Sequence, residues 1–225
     1  MNFYIYLFVF VVIFIIAYNN FHPAPTQKIT GNLFVIRCDF VNFYACRTSA
    51  GVVLFDAGEI GFSAKRGLRK LEIDPSEVTH IFLTHTDYDH AGGMKAFKNA
   101  KIYLSEAEVQ MIDGTTPRRL IIHNRRIKEY TALAEGEAVT VGDTEIKTYI
   151  FPGHTSGSAA YLIGNRFLAC GDLLYVSKKG VIAPFNVMMN MDHKQIVKSV
   201  EAADPLIKSV EYILTGHSGY YKVPS

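Results

Sequence analysis

The stretch His85-Thr86-Asp87-Tyr88-Asp89-His90 places four potential metal ligands within six consecutive residues. Imidazole nitrogen and carboxylate oxygen are ligands that zinc, iron and manganese accept at sites that keep one position open for water. In an extended backbone, residues two apart point the same way, so we expect His85, Asp87 and Asp89 to converge while His90 projects elsewhere. One short segment can therefore serve two adjacent metals.

The residues on either side predict where this stretch lies in the fold. Residues 78–84 are apolar and β-branched, which is typical of a buried strand, and residues 91–97 are predicted to form a loop that opens a helix. Ligands at the exit of a strand lie where α/β proteins usually place their chemistry. The alternative is a polar turn whose Asp and His side chains only cap the following helix.

Three further potential ligands follow short apolar runs elsewhere in the chain. Each comes directly after a glycine, a residue that lets the backbone turn tightly; they are His154, Asp172 and His217. Any one of these pairs is a weak signal. Together with the dense stretch at 85–90, they predict ligands that converge from distant strand ends.

The hydrophobic pattern predicts a mixed fold of strands and helices. Strands are predicted near residues 29–38, 40–48, 51–56, 78–84, 101–104, 138–142, 144–151, 159–163, 166–170 and 210–214, and helices near 63–72, 93–98, 105–112 and 192–203. Residues 115–133 give no clear pattern. Two packed sheets covered by helices suit this order.

With these motifs in order over roughly residues 28–222, the chain resembles the metallo-β-lactamase superfamily of metal-dependent hydrolases. The resemblance includes an upstream strand ending in Asp56, which in that family supports the site without binding metal. It implies an αββα four-layer sandwich, in which two mixed β-sheets are flanked by helices. It also implies two ligand sets, His85, Asp87 and His154 for one metal and Asp89, His90 and His217 for the other, with Asp172 bridging them.

One position departs from the family pattern, because Asp87 stands where the usual motif has a second histidine. The sequence therefore reads HxDxDH in place of HxHxDH. A carboxylate adds a negative charge among the ligands and suits iron or manganese better than imidazole does. Zinc remains the expected metal, with iron or manganese as alternatives. A further alternative is that the substitution empties this site and leaves one metal.

The chemistry implied is metal-assisted hydrolysis, in which two divalent metals share a water and present hydroxide to a carbonyl or phosphoryl centre. Asp89 is expected to be catalytic, orienting that hydroxide. Asp56 and the Thr84 hydroxyl are expected to orient the metal ligands by hydrogen bonds, although turn and strand-end bonding is an equal alternative. The expected substrate is a small carbonyl ester, lactone or thioester. The alternatives are an iron-dependent oxidoreductase, a phosphodiesterase and a non-catalytic, membrane-tethered binding protein.

The amino-terminal residues predict attachment to a membrane. Residues 3–17 are apolar and carry no charged side chain, so residues 1–18 are predicted to be a transmembrane anchor or signal segment. Residues 19–27, with Pro23 and Pro25, are predicted to be an extended linker to a single domain at 28–225. We expect a single-pass membrane protein with an exported domain; the alternative is secretion after signal cleavage.

The net charge of the chain limits which classes of binding partner the sequence indicates. The net charge is only +2, so the basic residues within 115–133 do not indicate a nucleic-acid partner. A solvated face or a pocket for an anionic group accounts for them better. The three cysteines lack zinc-ribbon spacing.

Overall fold

Two β-sheets packed face to face form the centre of the structure, a computed structural model that describes residues 21–118, 124 and 126–224. The first sheet has seven strands in chain order. They are β1 (Gln27–Thr30), β2 (Leu33–Cys38), β3 (Val41–Thr48), β4 (Gly51–Phe55), β5 (Val78–Phe82), β6 (Lys101–Ser105) and β7 (Thr131–Leu133). Strands β1 to β4 pair antiparallel, whereas β4 to β7 pair parallel.

The second sheet has six strands, and a separate hairpin lies beside it. The six strands of the second sheet are β8 (Ala138–Val141), β9 (Thr144–Ile150), β10 (Ala159–Ile163), β11 (Phe167–Gly171), β14 (Tyr212–Thr215) and β15 (Tyr220–Lys222). Their spatial order is β15-β14-β11-β10-β9-β8, and only β11 and β14 pair parallel. The hairpin consists of β12 (Leu174–Val176) and β13 (Ile182–Pro184).

Alternation along the strands explains why each sheet is covered on both faces. In β4, Val53 and Phe55 pack between the sheets, against Tyr161 of β10, whereas Val52 and Leu54 pack on the opposite face. Side chains two apart share a face, so a continuously apolar strand must be buried on both sides.

The helices lie on the two outer faces. Helix α1 (Gly61–Arg69) and a 3-10 turn, Gly92–Ala96, cover the first sheet through side chains such as Leu68 and Met94. Two short helices, α2 (Tyr88–Ala91) and α3 (Val109–Asp113), lie at the ends of β5 and β6, and α4 (His193–Ser209) covers the second sheet. The αββα architecture is confirmed.

The predicted strands are present with boundary changes, whereas the helix predicted near 93–98 is the 3-10 turn Gly92–Ala96 and the helix predicted near 105–112 begins as the 3-10 turn Glu106–Glu108. The first predicted strand is divided at Gly31 into β1 and β2, and the helix predicted near 192–203 continues to Ser209. The sequence pattern missed β7, the hairpin and β15, which are only three residues long. So short a segment contains too few residues for a period of two to stand out.

Of the two segments predicted before the domain, the structure describes only part of the linker. The predicted anchor or signal segment, residues 1–18, lies outside the described residues. None of the described helices combines the length and apolar character needed to span a membrane. Residues 21–26, within the predicted linker, have no regular secondary structure and lie against the domain. Ala24 N donates to Asn42 Oδ1 at 2.7 Å, and His22 N donates to His217 O at 3.0 Å.

Candidate metal centre

The candidate ligands meet at one edge of the paired sheets, where four segments leave their strands. His85 follows β5, and Asp89 and His90 lie in helix α2. The other three come from the loops after β9, β11 and β14; they are His154, Asp172 and His217. Three groups have ligand atoms within 4.8 Å of one another: His85, Asp87 and His154; Asp89, His90 and His217; and His85, His90 and Asp172.

The helical turn at Tyr88–Ala91 decides how the stretch 85–90 is divided. The period-two expectation placed Asp89 beside His85 and Asp87, and the structure places it with His90 and His217 instead. Asp87 keeps an extended backbone (φ −62°, ψ 151°), whereas the next residues are helical, so side chains two apart no longer share a direction. Two of the three groups have the same members as the ligand sets that the family resemblance implies, and the third joins His85 and His90 to Asp172.

Asp172 lies between the two sets. Its Oδ1 is 3.4 Å from His90 Nε2, and its Oδ2 is 3.4 Å from His154 Nε2 and 3.3 Å from His217 Nε2. This position requires glycine in the neighbouring loop, because a Cβ at Gly216 would lie 2.4 Å from Asp172 Oδ1. Gly171, directly before Asp172, has φ +48°, a left-handed conformation that favours glycine.

Each of the four histidines directs its Nε2 into the cluster, because its Nδ1 is hydrogen-bonded to an oxygen on the side of the ring that faces away from the cluster. The partners of Nδ1 are Thr84 Oγ1 at 3.1 Å for His85, Asp56 Oδ2 at 2.8 Å for His90, Asn190 Oδ1 at 3.1 Å for His154 and the Phe40 carbonyl at 2.9 Å for His217. Three of these oxygens can only accept, and the Thr84 hydroxyl uses its own hydrogen towards Asp56. All four rings therefore carry a proton on Nδ1 and can offer Nε2 as a ligand.

The cluster concentrates opposite charges in a buried space. Burial lowers the pKa of His217, but Asp172 and Asp89 outweigh it and raise the pKa to about 10. Burial raises the pKa of Asp172, but the surrounding histidines outweigh this effect and lower the pKa well below its usual range. The acidic side chains thus favour positive charge at the centre, which a metal cation supplies in exchange for protons.

The donor set fits divalent metals. His85 Nε2, His90 Nε2 and Asp172 Oδ1 are buried with no hydrogen-bond partner among the described residues. An unpartnered buried polar atom costs free energy, so three of them pointing into one cluster indicate a group that coordinates them. Imidazole nitrogens with carboxylate oxygens suit zinc and also iron or manganese.

Asp87 has a partner that the sequence did not single out. Arg118 Nε donates to both carboxylate oxygens of Asp87, at 2.9 and 2.8 Å, and Asn124 Nδ2 donates to Oδ1 at 3.1 Å. Burial raises the pKa of Asp87, but His154, His85 and Arg118 together hold it well below its usual range. Arg118 belongs to the basic stretch 115–133, of which residues 119–123 and 125 lie outside the described part.

Glu108 is a second buried side chain that the sequence did not single out. Its carboxylate accepts from Thr86 N and Thr86 Oγ1, both at 2.8 Å, and from Thr155 Oγ1 at 2.7 Å. It therefore ties the loop at residues 85–90 to the loop that carries His154. A carboxylate on a short 3-10 turn, Glu106–Glu108, gave no sequence signal because nothing in the pattern marks it as buried.

A pocket of about 250 Å³ opens onto the cluster. Its polar end is formed by the candidate ligands, with Glu59 nearby, and its walls are mostly apolar: Phe21, Phe40, Tyr88 and Met189. The Phe21 ring is stacked on His217 with the ring centroids 4.3 Å apart. The amino-terminal segment, expected only to link, therefore forms part of the pocket wall.

A family model described as the metallo-beta-lactamase superfamily matches residues 36–217. The chain belongs to this superfamily, which confirms the resemblance carried by the motifs. Among solved structures, a subclass B3 metallo-β-lactamase of Bradyrhizobium japonicum has a TM-score of 0.65 at 21% identity, covering 88% of this chain and 79% of that one. A B3 metallo-β-lactamase with an active-site glutamic acid has a TM-score of 0.68 at 22% identity, with 93% and 86% covered. These two structures establish the fold.

Curated relatives are similar over part of their length. A probable metallo-hydrolase of Mycobacterium bovis is 30% identical over 131 residues, 50% of this chain and 42% of the relative. A probable polyketide biosynthesis zinc-dependent hydrolase of Bacillus velezensis is 29% identical over 51% of this chain and 45% of its own. A hydroxyacylglutathione hydrolase of Actinobacillus pleuropneumoniae is 27% identical, with 61% and 53% covered. The chain spans about half the length of these relatives, whose names belong to the class that the sequence predicts, the metallo-hydrolases.

Proposed function

We propose that the protein hydrolyses a small carbonyl ester, lactone or thioester with two divalent metals, zinc being the preferred ion. The observation that carries the proposal is the arrangement of four Nε2 atoms and the carboxylates of Asp87, Asp89 and Asp172 at the polar end of an apolar pocket. His85, Asp87 and His154 would hold one metal, and Asp89, His90 and His217 the other, with Asp172 between them. When bound, such metals supply Lewis acidity and lower the pKa of water towards neutrality.

The chain's own residues contribute orientation and proton handling. Asp89 lines the pocket, and its Oδ2 lies 3.3 Å from His217 Nε2. A carboxylate in this position can accept a hydrogen bond from the attacking water and hold the water's lone pair towards the substrate carbonyl. Asp56 and Thr84 keep His90 and His85 in the orientation that leaves Nε2 free for a metal.

The substrate class is supported by the pocket and by the relatives. A pocket of about 250 Å³ with walls of Phe21, Phe40 and Met189 suits a small acyl group with an apolar portion. Hydroxyacylglutathione, named for one relative, is an acyl thioester, and another relative is named as a zinc-dependent hydrolase. The first name supports hydrolysis at an acyl carbon over phosphodiester cleavage, and the second supports zinc as the metal.

The test combines metal analysis with a substrate panel. The purified protein is analysed for zinc, iron and manganese and assayed on esters, lactones, thioesters and phosphodiesters, alongside Asp89→Ala. Zinc together with acyl hydrolysis that the variant loses supports the proposal. Iron-dependent oxygen consumption would instead indicate an oxidoreductase. Phosphodiester cleavage alone would indicate a phosphodiesterase, and equal inactivity of the wild type and the variant would indicate a binding function.

We also propose that the domain works at a membrane surface, anchored by residues 1–18 and exported. The uncharged apolar run at 3–17 supports the anchor. Support for the surface comes from exposed apolar side chains that lie in the pocket lining or within three residues of it in the chain: Ile60, Phe62, Tyr88, Val187, Met188 and Met189. Exposed apolar patches of this kind mark interaction sites.

Vesicle flotation and protease protection test the membrane proposal. A chain beginning at residue 21 should float with phosphatidylcholine vesicles, and Phe62→Asp with Val187→Asp should abolish flotation. Val181→Asp is the matched control, because Val181 is 61% exposed and does not line the pocket. Equal flotation of all variants would contradict the surface proposal. For the full chain in cells, resistance of the domain to protease added outside the membrane would contradict export.

A further inference from the structure

The Arg118 guanidinium lies where it competes with a metal for one ligand set. It donates to both oxygens of Asp87, its Nη2 lies 3.3 Å from His154 Nε2, and the same nitrogen donates to the Met189 carbonyl at 2.6 Å. Two of the three ligands of this set therefore face a fixed positive charge. The Arg118 side chain is only 10% exposed, so water screens this charge weakly.

Among the described residues, no arginine or lysine pairs with the acidic side chain of the other ligand set. In the described part of the chain, the ion pairs of Asp89 are with His90 and His217, and those of Asp172 are with His90, His154 and His217. The group of Asp89, His90 and His217 is therefore free to bind a divalent cation without displacing a guanidinium.

We propose that Arg118 makes the two metal sites unequal, so that the set of Asp89, His90 and His217 binds the tight metal and the set of His85, Asp87 and His154 binds the weak one. This rests on the proposed dinuclear function. Asp87 adds a negative charge where the family pattern has a neutral histidine, and Arg118 offsets that charge. The metal entering this set must break the two hydrogen bonds from Arg118 Nε and approach its positive charge, whereas the other set requires only that protons leave.

Stepwise metal binding by the full chain tests this inference. Metal-free protein is titrated with zinc by calorimetry, with bound metal counted after dialysis and with cobalt absorption as a second readout of the coordination. We expect one tight equivalent and a second that binds at least about tenfold more weakly, a difference of about 1.4 kcal/mol. Two equivalents of equal affinity in the wild type would overturn the inference.

Variants assign each step to its site. Arg118→Met should strengthen the weak step by about tenfold or more, and Arg118→Lys should have a smaller effect, because a lysine cannot reproduce the fork of donors. Arg126→Met is the matched control, since Arg126 is exposed in the same stretch. His217→Ala should abolish the tight step, and His154→Ala should abolish only the weak one; the reverse pattern would overturn the inference.

The outcomes separate this inference from the proposed function. If no metal binds to the wild type at micromolar concentration, both the proposed dinuclear function and the role of Arg118 are wrong. If two equivalents bind and acyl hydrolysis is observed, but Arg118→Met leaves both affinities unchanged, only the role of Arg118 fails. Should Arg118→Met not fold by circular dichroism, the stepwise titration of the wild type and the two histidine variants still decide the order of binding.

Discussion

Asp56 Oδ2 lies 2.8 Å from His90 Nδ1, and both side chains are buried. The same carboxylate accepts from Thr84 N at 2.8 Å and from the Thr84 hydroxyl at 2.9 Å. Asp56 has φ +62°, a left-handed conformation that Asp and Asn adopt more readily than other side chains. This residue therefore joins the end of β4 to the end of β5 and fixes the ring of a candidate ligand.

Asp56→Asn should weaken metal binding by about 10- to 100-fold while the protein stays folded. Asparagine tolerates the backbone conformation, but an amide cannot hold the His90 proton and accept from Thr84 as a carboxylate does. Zinc calorimetry and circular dichroism measure the two effects. Asp39→Asn is the control, because Asp39 has φ +53° and is exposed. Unchanged zinc affinity in Asp56→Asn would contradict the role assigned to Asp56.

The sequence was sufficient to predict the fold and the candidate ligands, because these depend on local patterns. Strands such as β4 are continuously apolar, and Gly171 and Gly216 mark the turns before Asp172 and His217. The order of these motifs along the chain is enough to identify the superfamily, which in turn implies how the strand ends meet.

The contacts missed from the sequence depend on distances that local patterns do not encode. Arg118 is 31 positions from Asp87, and Asn190 is 36 from His154. An arginine in an irregular basic stretch looks like a solvated surface until the fold places it in the site. The division of Asp89 from Asp87 was missed because a single helical turn, Tyr88–Ala91, is too short to show a period of 3.6.

Asp89→Asn should lower kcat for acyl substrates by about 100- to 10,000-fold, the range typical of a residue that handles the proton of the attacking water. The amide keeps the size of the side chain and loses its charge and basicity. Steady-state kinetics on the best ester or thioester, with bound metal measured in parallel, report the loss. Asp204→Asn is the matched control, because Asp204 is an exposed residue paired with Lys208. Full activity of Asp89→Asn at unchanged metal content would exclude Asp89 from catalysis.

Phe21→Ala should raise KM for substrates with an apolar acyl group by about tenfold and leave kcat for a minimal acetyl ester nearly unchanged. The ring lines the pocket and is stacked on His217, so its removal takes away apolar contact with the substrate, worth about 1–2 kcal/mol. KM is measured against acyl-chain length. Phe62→Ala serves as control with soluble substrates, since Phe62 is 74% exposed and does not line the pocket. The same KM change for every chain length would contradict a specific contact with the acyl group.

Glu108 should make the metal-free protein less stable as pH rises towards 7. Burial raises the pKa of Glu108 to about 7, although hydrogen bonds from Thr155 and Thr86 lower it, against 4.5 for an unperturbed glutamate. Between these pH values the folded chain keeps a proton that the unfolded chain has released. The contribution of Glu108 to the free energy of unfolding is therefore complete below pH 4.5 and is lost as pH rises through about 7. This loss amounts to about 3 kcal/mol.

Glu108→Gln should flatten this part of the pH profile, because glutamine does not titrate and the variant therefore lacks the proton exchange that makes stability depend on pH. The free energy of unfolding is measured by urea denaturation with a chelator present, at steps from pH 4 to pH 8, for the wild type and the variant. Glu106→Gln is the control, since Glu106 is exposed in the same turn. A profile for Glu108→Gln that stays parallel to the wild type would show that Glu108 has the same pKa in the folded and the unfolded chain and is therefore ionised in the folded protein at neutral pH. Its hydrogen bonds to Thr86 and Thr155 would then be those of a carboxylate, joining the two loops of the metal centre by charge at neutral pH.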